Sequence, residues 1–210
     1  MRRRLLRGGA WALAAGALAP APLRAAARPV TPRQTEGPFY PDSIPLERDA
    51  DLLMLGGRRA QGTPAEVAGR VLAADGRPLD GVTVEIWQCD AQGVYKHVRA
   101  QSGGDPHFQG FGRTVSGSDG GYRFRTIRPV PYGGRTPHIH FKIKGRGIAG
   151  LTTQLYIAGH PMNARDFIFS RVPERLRDGV TAAFEPDADG GPARARFDIV
   201  LGPDFVADPE

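Results

Sequence analysis

Two histidines separated by one residue, His138 and His140, are the first candidates for chemistry in this sequence. They lie in a stretch where apolar and polar residues alternate, as they do in a β-strand. Residues two apart on a strand point to the same side, so both imidazoles would face one way while Ile139 enters the core. Such a pair can clamp a metal ion. The pattern also occurs on solvated strand faces, and the following Lys142 and Lys144 favour that alternative.

Two tyrosines in turn-rich segments could complete a metal site. Tyr132 lies in the loop of residues 131–135 (PYGGR), and Tyr95 follows the turn of residues 90–93 (DAQG). Packing is the alternative role for both. A phenolate favours iron(III) over iron(II) and zinc, and two phenolates with a hydroxide would neutralise a ferric ion in a half-buried site. The single cysteine, Cys89, excludes an internal disulfide and Cys-rich zinc or iron–sulfur sites.

Short strands separated by turns are predicted to position these residues. Glycine (28) and proline (19) are abundant and are spread between short apolar runs. Alternation predicts strands at residues 67–73, 82–89, 121–127, 138–144, 151–157 and 197–201. One short helix is predicted within residues 173–184. We therefore expect an all-β fold, an antiparallel β-sandwich with long loops over residues 65–210, preceded by an extended, proline-rich arm of residues 28–64.

Residues 1–27 are predicted to form an export signal. A basic start at residues 2–7 precedes an apolar run at residues 11–18 and a small-residue cleavage site at residues 25–27. The apolar run is too short to span a bilayer. The arginine pair resembles a bacterial twin-arginine signal, with Leu5 where that signal usually has Phe, and an ordinary secretory signal is the alternative. We expect a periplasmic or extracellular mature protein without a membrane span.

Charge gives no reason to expect a nucleic-acid partner. The chain has 28 basic and 22 acidic residues. Residues 1–27 contain five arginines and no acid, which leaves 23 basic residues against 22 acidic ones, a net charge of +1. The high isoelectric point thus belongs largely to the predicted signal, whereas nucleic-acid binding requires a basic patch on the folded part.

Six sequence motifs follow one another over residues 35–160. They are TEGPFYP (35–41), GVTVEIWQCDAQGVY (81–95), FQGFGR (108–113), GGYRFRTI (120–127), RTPHIHFK (135–142) and LTTQLY (151–156). In this combination and order the sequence resembles the intradiol ring-cleavage dioxygenases, which include protocatechuate and catechol dioxygenases. The resemblance implies a β-sandwich around a mononuclear non-haem Fe(III) ion. Carried over by motif, its ligands are Tyr95, Tyr132, His138 and His140.

The resemblance also implies a reaction. A small catechol-type aromatic diol and O2 are the expected partners, and the ring opens between the two hydroxyls to give a cis,cis-muconate-type diacid. Tyr132 is expected to leave the metal and act as a base. Arg135 matches the active-site arginine that stabilises negative charge on the substrate, and Gln154 matches a polar residue near the substrate. Without the resemblance, both would be interpreted as solvated side chains.

Two features differ from the larger members of the family. Only five residues separate Tyr132 from His138, and no N-terminal helical dimerisation region is predicted. We therefore expect a more open pocket, and the identity of the substrate cannot be carried over. Because the family commonly assembles subunits, a homo-oligomer remains open.

Three alternatives to an active dioxygenase remain at this point. A transthyretin-like binding module has a sequence similar in character to residues 69–84. Such a module would not need two loop tyrosines before a histidine pair. A zinc or copper hydrolase or oxidase would need a third ligand, and His97, His107 and His160 lie outside any compact motif. An inactive dioxygenase-like protein is the third, although all four ligand positions are filled.

Overall fold

The computed structural model describes residues 28–98, 102–145 and 148–203. Within these ranges the chain forms eleven strands and three short 3-10 helices. The strands are β1 (Met54–Leu55), β2 (Arg58–Arg59), β3 (Pro64–Ala73), β4 (Thr83–Trp87), β5 (Phe111–Val115), β6 (Gly121–Ile127), β7 (His138–Gly145), β8 (Ile148–Ile157), β9 (Thr181–Ala182), β10 (Ala193–Arg196) and β11 (Ile199–Leu201). The 3-10 helices are Pro161–Arg165, Phe169–Arg171 and Glu174–Val180.

Two sheets form the expected sandwich. One has five strands in the order β5-β4-β7-β8-β9, and the other is built on β3, which pairs with β6, β10 and β11. A separate hairpin joins β1 to β2. The long central strands pair antiparallel, whereas β3 runs parallel to β10 and β11, and β8 runs parallel to β9. The all-β sandwich is confirmed, with parallel pairs among its outer strands.

The core lies between the two sheets and follows the alternation of β7. Ile139, Phe141 and Ile143 are fully buried in it. Phe141 meets Phe197, which lies between β10 and β11, with ring centroids 5.0 Å apart. Because strand residues alternate between faces, His138 and His140 must lie on the opposite side of the five-stranded sheet, away from this core.

That opposite face is covered by the N-terminal arm. Residues 28–50 contain no strand, yet they bind the sheet edge through their backbone. The Gln34 N–H donates to the Thr152 carbonyl at 2.8 Å. Lys142 forms an ion pair with Glu36 at 2.5 Å. The predicted division into an arm (28–64) and a domain (65–210) remains a prediction, but the arm contributes to the burial of the sheet.

The six predicted strands are all present, with ends shifted by up to three residues. Five short strands were not predicted: β1 and β2 within the arm, β5, β9 and β10. The helix expected within residues 173–184 is a 3-10 helix that ends at Val180, where β9 begins. The predicted export signal lies outside the described residues. In the described ranges, no helix is long and apolar enough to cross a membrane.

Candidate active site

Tyr132 and Arg135 stand at the two ends of one tight turn. The Arg135 N–H donates to the Tyr132 carbonyl at 2.7 Å. The central residues, Gly133 and Gly134, have φ angles of +50° and +79°. Hairpin turns with positive φ at both central positions strongly favour glycine because a Cβ is strained there. The two glycines therefore bring a phenol and a guanidinium to the same place.

A second turn positions Tyr95 against the first. The Asp90 carboxylate accepts the Val94 N–H at 3.0 Å and so closes the loop before Tyr95. Gly93 has a φ of +82° and lies so close to Tyr132 that a Cβ at position 93 would stand 3.3 Å from the Tyr132 Cβ. Tyr95 follows this contact and is almost fully buried. Close packing of the two turns places the two phenols side by side.

The sheet register positions the two histidines. On β7, His140 lies between Trp87 of β4 and Gln154 of β8, and His138 lies opposite Tyr156. The His140 ring stacks on the Trp87 indole, with centroids 4.6 Å apart and planes within 11°. Both histidines are 1% exposed. The stacked indole and the strand backbone hold the imidazoles rigidly on this face.

The imidazole nitrogens are arranged as they would be in metal ligands. His138 Nδ1 is 2.6 Å from the Thr136 carbonyl, which can only accept, so Nδ1 carries the proton and Nε2 presents a lone pair. Within the described ranges, His138 Nε2 and both nitrogens of His140 have no hydrogen-bond partner. Buried polar atoms are normally paired. These buried nitrogens fit metal ligands, since one nitrogen of each neutral imidazole can bind an ion. His138 shows this most directly, because its other nitrogen is held by a carbonyl, as in many metal-bound histidines.

All four predicted ligand residues meet in one closed ring of side chains, which we call the four-ring cluster (Tyr95, Tyr132, His138 and His140). The neighbouring centroids lie 5.1 Å apart for Tyr95–Tyr132, 5.4 Å for Tyr132–His138 and 4.9 Å for His138–His140. The ring closes with 6.2 Å between His140 and Tyr95. The structure thus brings together two phenols and two imidazoles.

Burial sets the protonation of these groups in the absence of a cation. It lowers the pKa of His138 to about 4 and that of His140 well below 6.5, so both are neutral. Burial raises the pKa of Tyr95 well above 10 and also raises that of Tyr132, although a hydrogen bond from Tyr95 and the charge of Arg135 oppose the rise in Tyr132. Neutral imidazoles are ready to bind a metal, whereas the phenols must release protons to do so.

Arg135 and Gln154 lie beside the four-ring cluster in a buried polar group. The Arg135 Nη2 donates to Gln154 Oε1 at 2.8 Å, and its Nε donates to Asp166 Oδ2 at 2.7 Å. Gln154 donates in turn to the Thr35 carbonyl of the arm at 3.1 Å. Both predicted residues are therefore buried and ordered, and neither is the solvated side chain that the pattern alone would suggest.

Several residues of the site are not evident from motif spacing. Phe39 of the arm stacks on Tyr95, Trp87 stacks on His140, and Asp166 binds Arg135. Trp87 could have been found, because alternation along β4 places it on the same sheet face as the histidines. Asp166 has no comparable sequence signal; in the structure its carboxylate accepts the Ile168 and Phe169 N–H groups at 3.0 and 2.8 Å.

Comparison with known proteins agrees with this geometry. A family model described as "Dioxygenase" matches residues 35–203. The protocatechuate 3,4-dioxygenase beta chain of Burkholderia cepacia is 36% identical in an alignment of length 197 that covers 85% of this chain and 84% of that protein. The chain belongs to the intradiol ring-cleavage dioxygenase family.

Other members of the family align over most of the chain. Hydroxyquinol 1,2-dioxygenase of Nocardioides simplex is 31% identical over 80% of this chain and 63% of its own. The dioxygenase domain of a carbohydrate-binding fusion from Streptomyces sp. SirexAA-E superposes with a TM-score of 0.67 at 33% identity, covering 85% of this chain and all of that domain. The mercury-inhibited catechol 1,2-dioxygenase of Acinetobacter sp. ADP1 gives 0.65 at 29% identity, covering 86% and 66%. The chain spans less than two thirds of the hydroxyquinol and catechol enzymes.

Membership of the intradiol family decides the class of protein. It is a ring-cleaving oxidoreductase of a family that acts on catechol-type aromatics and uses non-haem iron. The alternatives of a binding module and of a zinc or copper enzyme are set aside by this finding.

Proposed function

We propose that this protein is a mononuclear Fe(III) intradiol dioxygenase. It cleaves a catechol-type aromatic between its two hydroxyls with O2 and releases a cis,cis-muconate-type diacid. The four-ring cluster is the observation that carries the proposal, because it combines two phenols with imidazole nitrogens that have no partner. The relatives are named for protocatechuate, hydroxyquinol and catechol, which all carry adjacent hydroxyls.

The donor set fits a ferric ion. Tyr95, Tyr132, His138 and His140 would hold it, since hard phenolates match the high charge and the imidazoles are already neutral. A ferric ion held there would supply Lewis-acid activation of the catechol toward O2. The chain contributes the fixed ligand positions, a dry environment and the movement of protons.

Tyr132 is the ligand best suited to act as a base. It lies on the Gly133–Gly134 turn and is half-buried, whereas Tyr95 is 2% exposed and is clamped by Phe39. Tyr132 can therefore swing away while Tyr95 stays in place. The Tyr132 oxygen would take a proton from a substrate hydroxyl. The adjacent Arg135 charge favours the phenolate before this transfer.

Arg135 would stabilise negative charge on the bound substrate. Its guanidinium is held beside the four-ring cluster by Gln154 and Asp166, so it needs little rearrangement when charge develops. Gln154 is fixed by the arm through Thr35. The arm and β8 together hold the guanidinium in one orientation.

The exposed residues at the edge of the candidate site support activity on several catechols. The loop between Tyr132 and His138 is short, and its glycines are exposed. Phe167, whose ring centroid is 5.3 Å from the Arg135 Cζ, is 60% exposed at the edge of the site. Substituents on the substrate would project past these residues toward solvent.

We also propose export of the mature enzyme, supported by the basic and apolar composition of residues 1–27. The test is a fusion of residues 1–27 to a reporter that is scored in the periplasm. Replacement of Arg2 and Arg3 by lysine should abolish export through the twin-arginine route. Export that is unaffected by this change would favour the general secretory route, and a reporter that stays in the cytoplasm would refute export.

The function is tested with protein purified without chelator. Two phenolates on Fe(III) should give a broad visible charge-transfer band, and incubation with a panel of catechols under labelled oxygen should give muconate-type diacids carrying both labelled atoms. Protein that stays colourless after ferric loading would refute the iron site. A yellow semialdehyde, from cleavage beside the hydroxyls, would refute the intradiol outcome. Coloured protein without turnover would indicate an inactive family member.

A further inference from the structure

Asp166 is a buried carboxylate whose two oxygens both accept hydrogen bonds beside the site. Its side chain is inaccessible to solvent. Oδ2 accepts from Arg135 Nε at 2.7 Å and from the Thr136 N–H at 3.0 Å. Oδ1 accepts the N–H groups of Ile168 and Phe169, at 3.0 and 2.8 Å, and lies 3.4 Å from Arg135 Nη2. A buried carboxylate with this many donors is held in one position and stays ionised.

The contacts of Asp166 fix the plane of the Arg135 guanidinium. Asp166 binds one edge of the guanidinium, formed by Nε and Nη2. Gln154 Oε1 accepts from Nη2 from another direction, at 2.8 Å. A guanidinium bound along one edge by a carboxylate cannot rotate without losing these bonds. The Phe167 ring packs at the same guanidinium. The orientation of Arg135 thus depends on residues 166 and 167, which follow the 3-10 helix Pro161–Arg165.

We infer that Asp166 is a positioning residue, which aims the Arg135 guanidinium at the four-ring cluster and thereby sets the affinity for the anionic form of the substrate. The inference rests on the proposed function, because it is there that Arg135 contacts the substrate. Toward the substrate, Asp166 acts through Arg135. Asp166 also accepts the N–H groups of Thr136 and Phe169. These bonds link the residues just before β7 to the start of the helix Phe169–Arg171.

A purely structural role predicts different behaviour. If Asp166 only capped the loop, Asp166→Asn would lower the stability of the fold and leave ligand affinity alone. If it positions Arg135, Asp166→Asn and Arg135→Ala should remove the same interaction, and their effects on affinity should not multiply. The asparagine amide offers one acceptor oxygen where the carboxylate has two, so it cannot satisfy both the guanidinium and the backbone donors.

The experiment is a double-mutant cycle on the iron-loaded, full-length protein. Asp166→Asn, Arg135→Ala and the double variant are compared in iron content, visible band, thermal unfolding, kcat, KM and the Kd for 4-nitrocatechol. We expect Asp166→Asn to keep the visible band and to raise Kd about tenfold or more, as loss of supporting residues at metal sites does. The double variant should match Arg135→Ala within about twofold.

Two further variants complete the design. Asp198→Asn is the matched control, because Asp198 also binds an arginine side chain and a backbone N–H. At the other sheet, its carboxylate accepts from Arg196 Nη2 at 2.9 Å and from the Arg70 N–H at 3.0 Å. It should leave Kd unchanged. Asp166→Glu keeps the charge and should recover part of the affinity, and it replaces Asp166→Asn in the cycle if the asparagine variant does not fold.

The outcomes separate this inference from the proposed function. A coloured, active wild type whose Asp166→Asn variant binds 4-nitrocatechol normally would overturn the inference alone, as would effects that multiply in the double variant. Wild-type protein without iron or turnover would overturn the proposed function and this inference with it.

Discussion

The rings of Phe39 and Tyr95 lie parallel at 4.5 Å between centroids, with planes within 7°. Phe39 belongs to the N-terminal arm, and Tyr95 follows the turn after β4. The same arm approaches His140, because a Cβ at Gly37 would stand 3.8 Å from the His140 Cε1. An arm that contains no strand over residues 28–50 therefore forms one wall of the candidate iron site.

The stack predicts that the arm contributes to iron affinity. Phe39→Ala should weaken ferric binding roughly two- to tenfold, because an aromatic pair contributes about 0.5–1.5 kcal/mol beyond its buried area. Iron retention is measured by titration with a competing chelator, followed through the visible band. Leu46→Ala, at an 88% exposed position of the same arm, is the control and should bind iron normally. Equal retention in both variants would contradict the role of Phe39.

His140 is predicted to be indispensable for metal binding. Neither of its nitrogens has a partner among the described residues, and Trp87 holds the ring in place. His140→Ala should lose the visible band and most of the iron, measured by metal analysis. His107→Ala removes a half-buried imidazole whose Nδ1 lies 3.3 Å from the Leu55 carbonyl, and it should keep full iron content. A coloured His140→Ala variant would exclude His140 as a ligand.

Tyr132 is predicted to matter more for turnover than for holding iron. Tyr132→Phe should keep part of the iron and lose about 10²- to 10⁴-fold in kcat, the usual contribution of a positioned base. Single-turnover kinetics and iron analysis on the same sample separate the two effects. Tyr122→Phe is the control, because Tyr122 donates to the Phe197 carbonyl in the core. That change should cost about 1–3 kcal/mol of stability and leave kcat intact. Wild-type turnover in Tyr132→Phe would refute the base assignment.

A buried carboxylate anchors the arm to the sheet. The fully buried Glu85 side chain accepts from Tyr40 Oη at 2.9 Å, from Arg113 Nη2 at 2.6 Å and from Lys144 Nζ at 3.0 Å. Burial alone would raise the pKa of Glu85, but hydrogen bonds from Lys144, Tyr40 and Arg113 outweigh it and hold this pKa below 4.5. Lys142 and Lys144, the two lysines of β7, thus help to bind this arm, since Lys142 pairs with Glu36 of the arm.

The Glu85 group predicts a pH dependence of stability. A carboxyl whose pKa is lowered by folding stabilises the protein above its unfolded pKa, and this contribution is lost as the pH falls through the folded pKa. Glu85→Gln should therefore cost about 2 kcal/mol at neutral pH, and the difference from wild type should shrink below pH 4.5. Denaturant unfolding at several pH values measures this. Asp119→Asn, in an ion pair whose side chains are 52% and 65% exposed, should change stability by less than about 1 kcal/mol. A constant Glu85→Gln difference across pH would contradict the assignment.

Local pattern was enough to predict six of the eleven described strands, β3, β4, β6, β7, β8 and β11, and the shared face of the histidines. The alternation of His138, Ile139 and His140 fixes which side chains leave the core, because strand geometry repeats every two residues. Likewise, Gly133 and Gly134 indicate the tight turn beside Tyr132. The site residues followed from the resemblance of motifs, since spacing alone left Arg135 and Gln154 as ordinary polar residues.

Only the tertiary structure decided which distant residues complete the site. Phe39, Trp87 and Asp166 meet the four-ring cluster and Arg135 through sheet register and packing of the arm, over separations in sequence that no local period encodes. The sequence pattern also did not determine which polar side chains are buried. Gln154 occupies a position on β8 that would be solvated if the arm did not cover that face. Sequence periodicity specifies which way a side chain points, and only long-range packing specifies what it meets there.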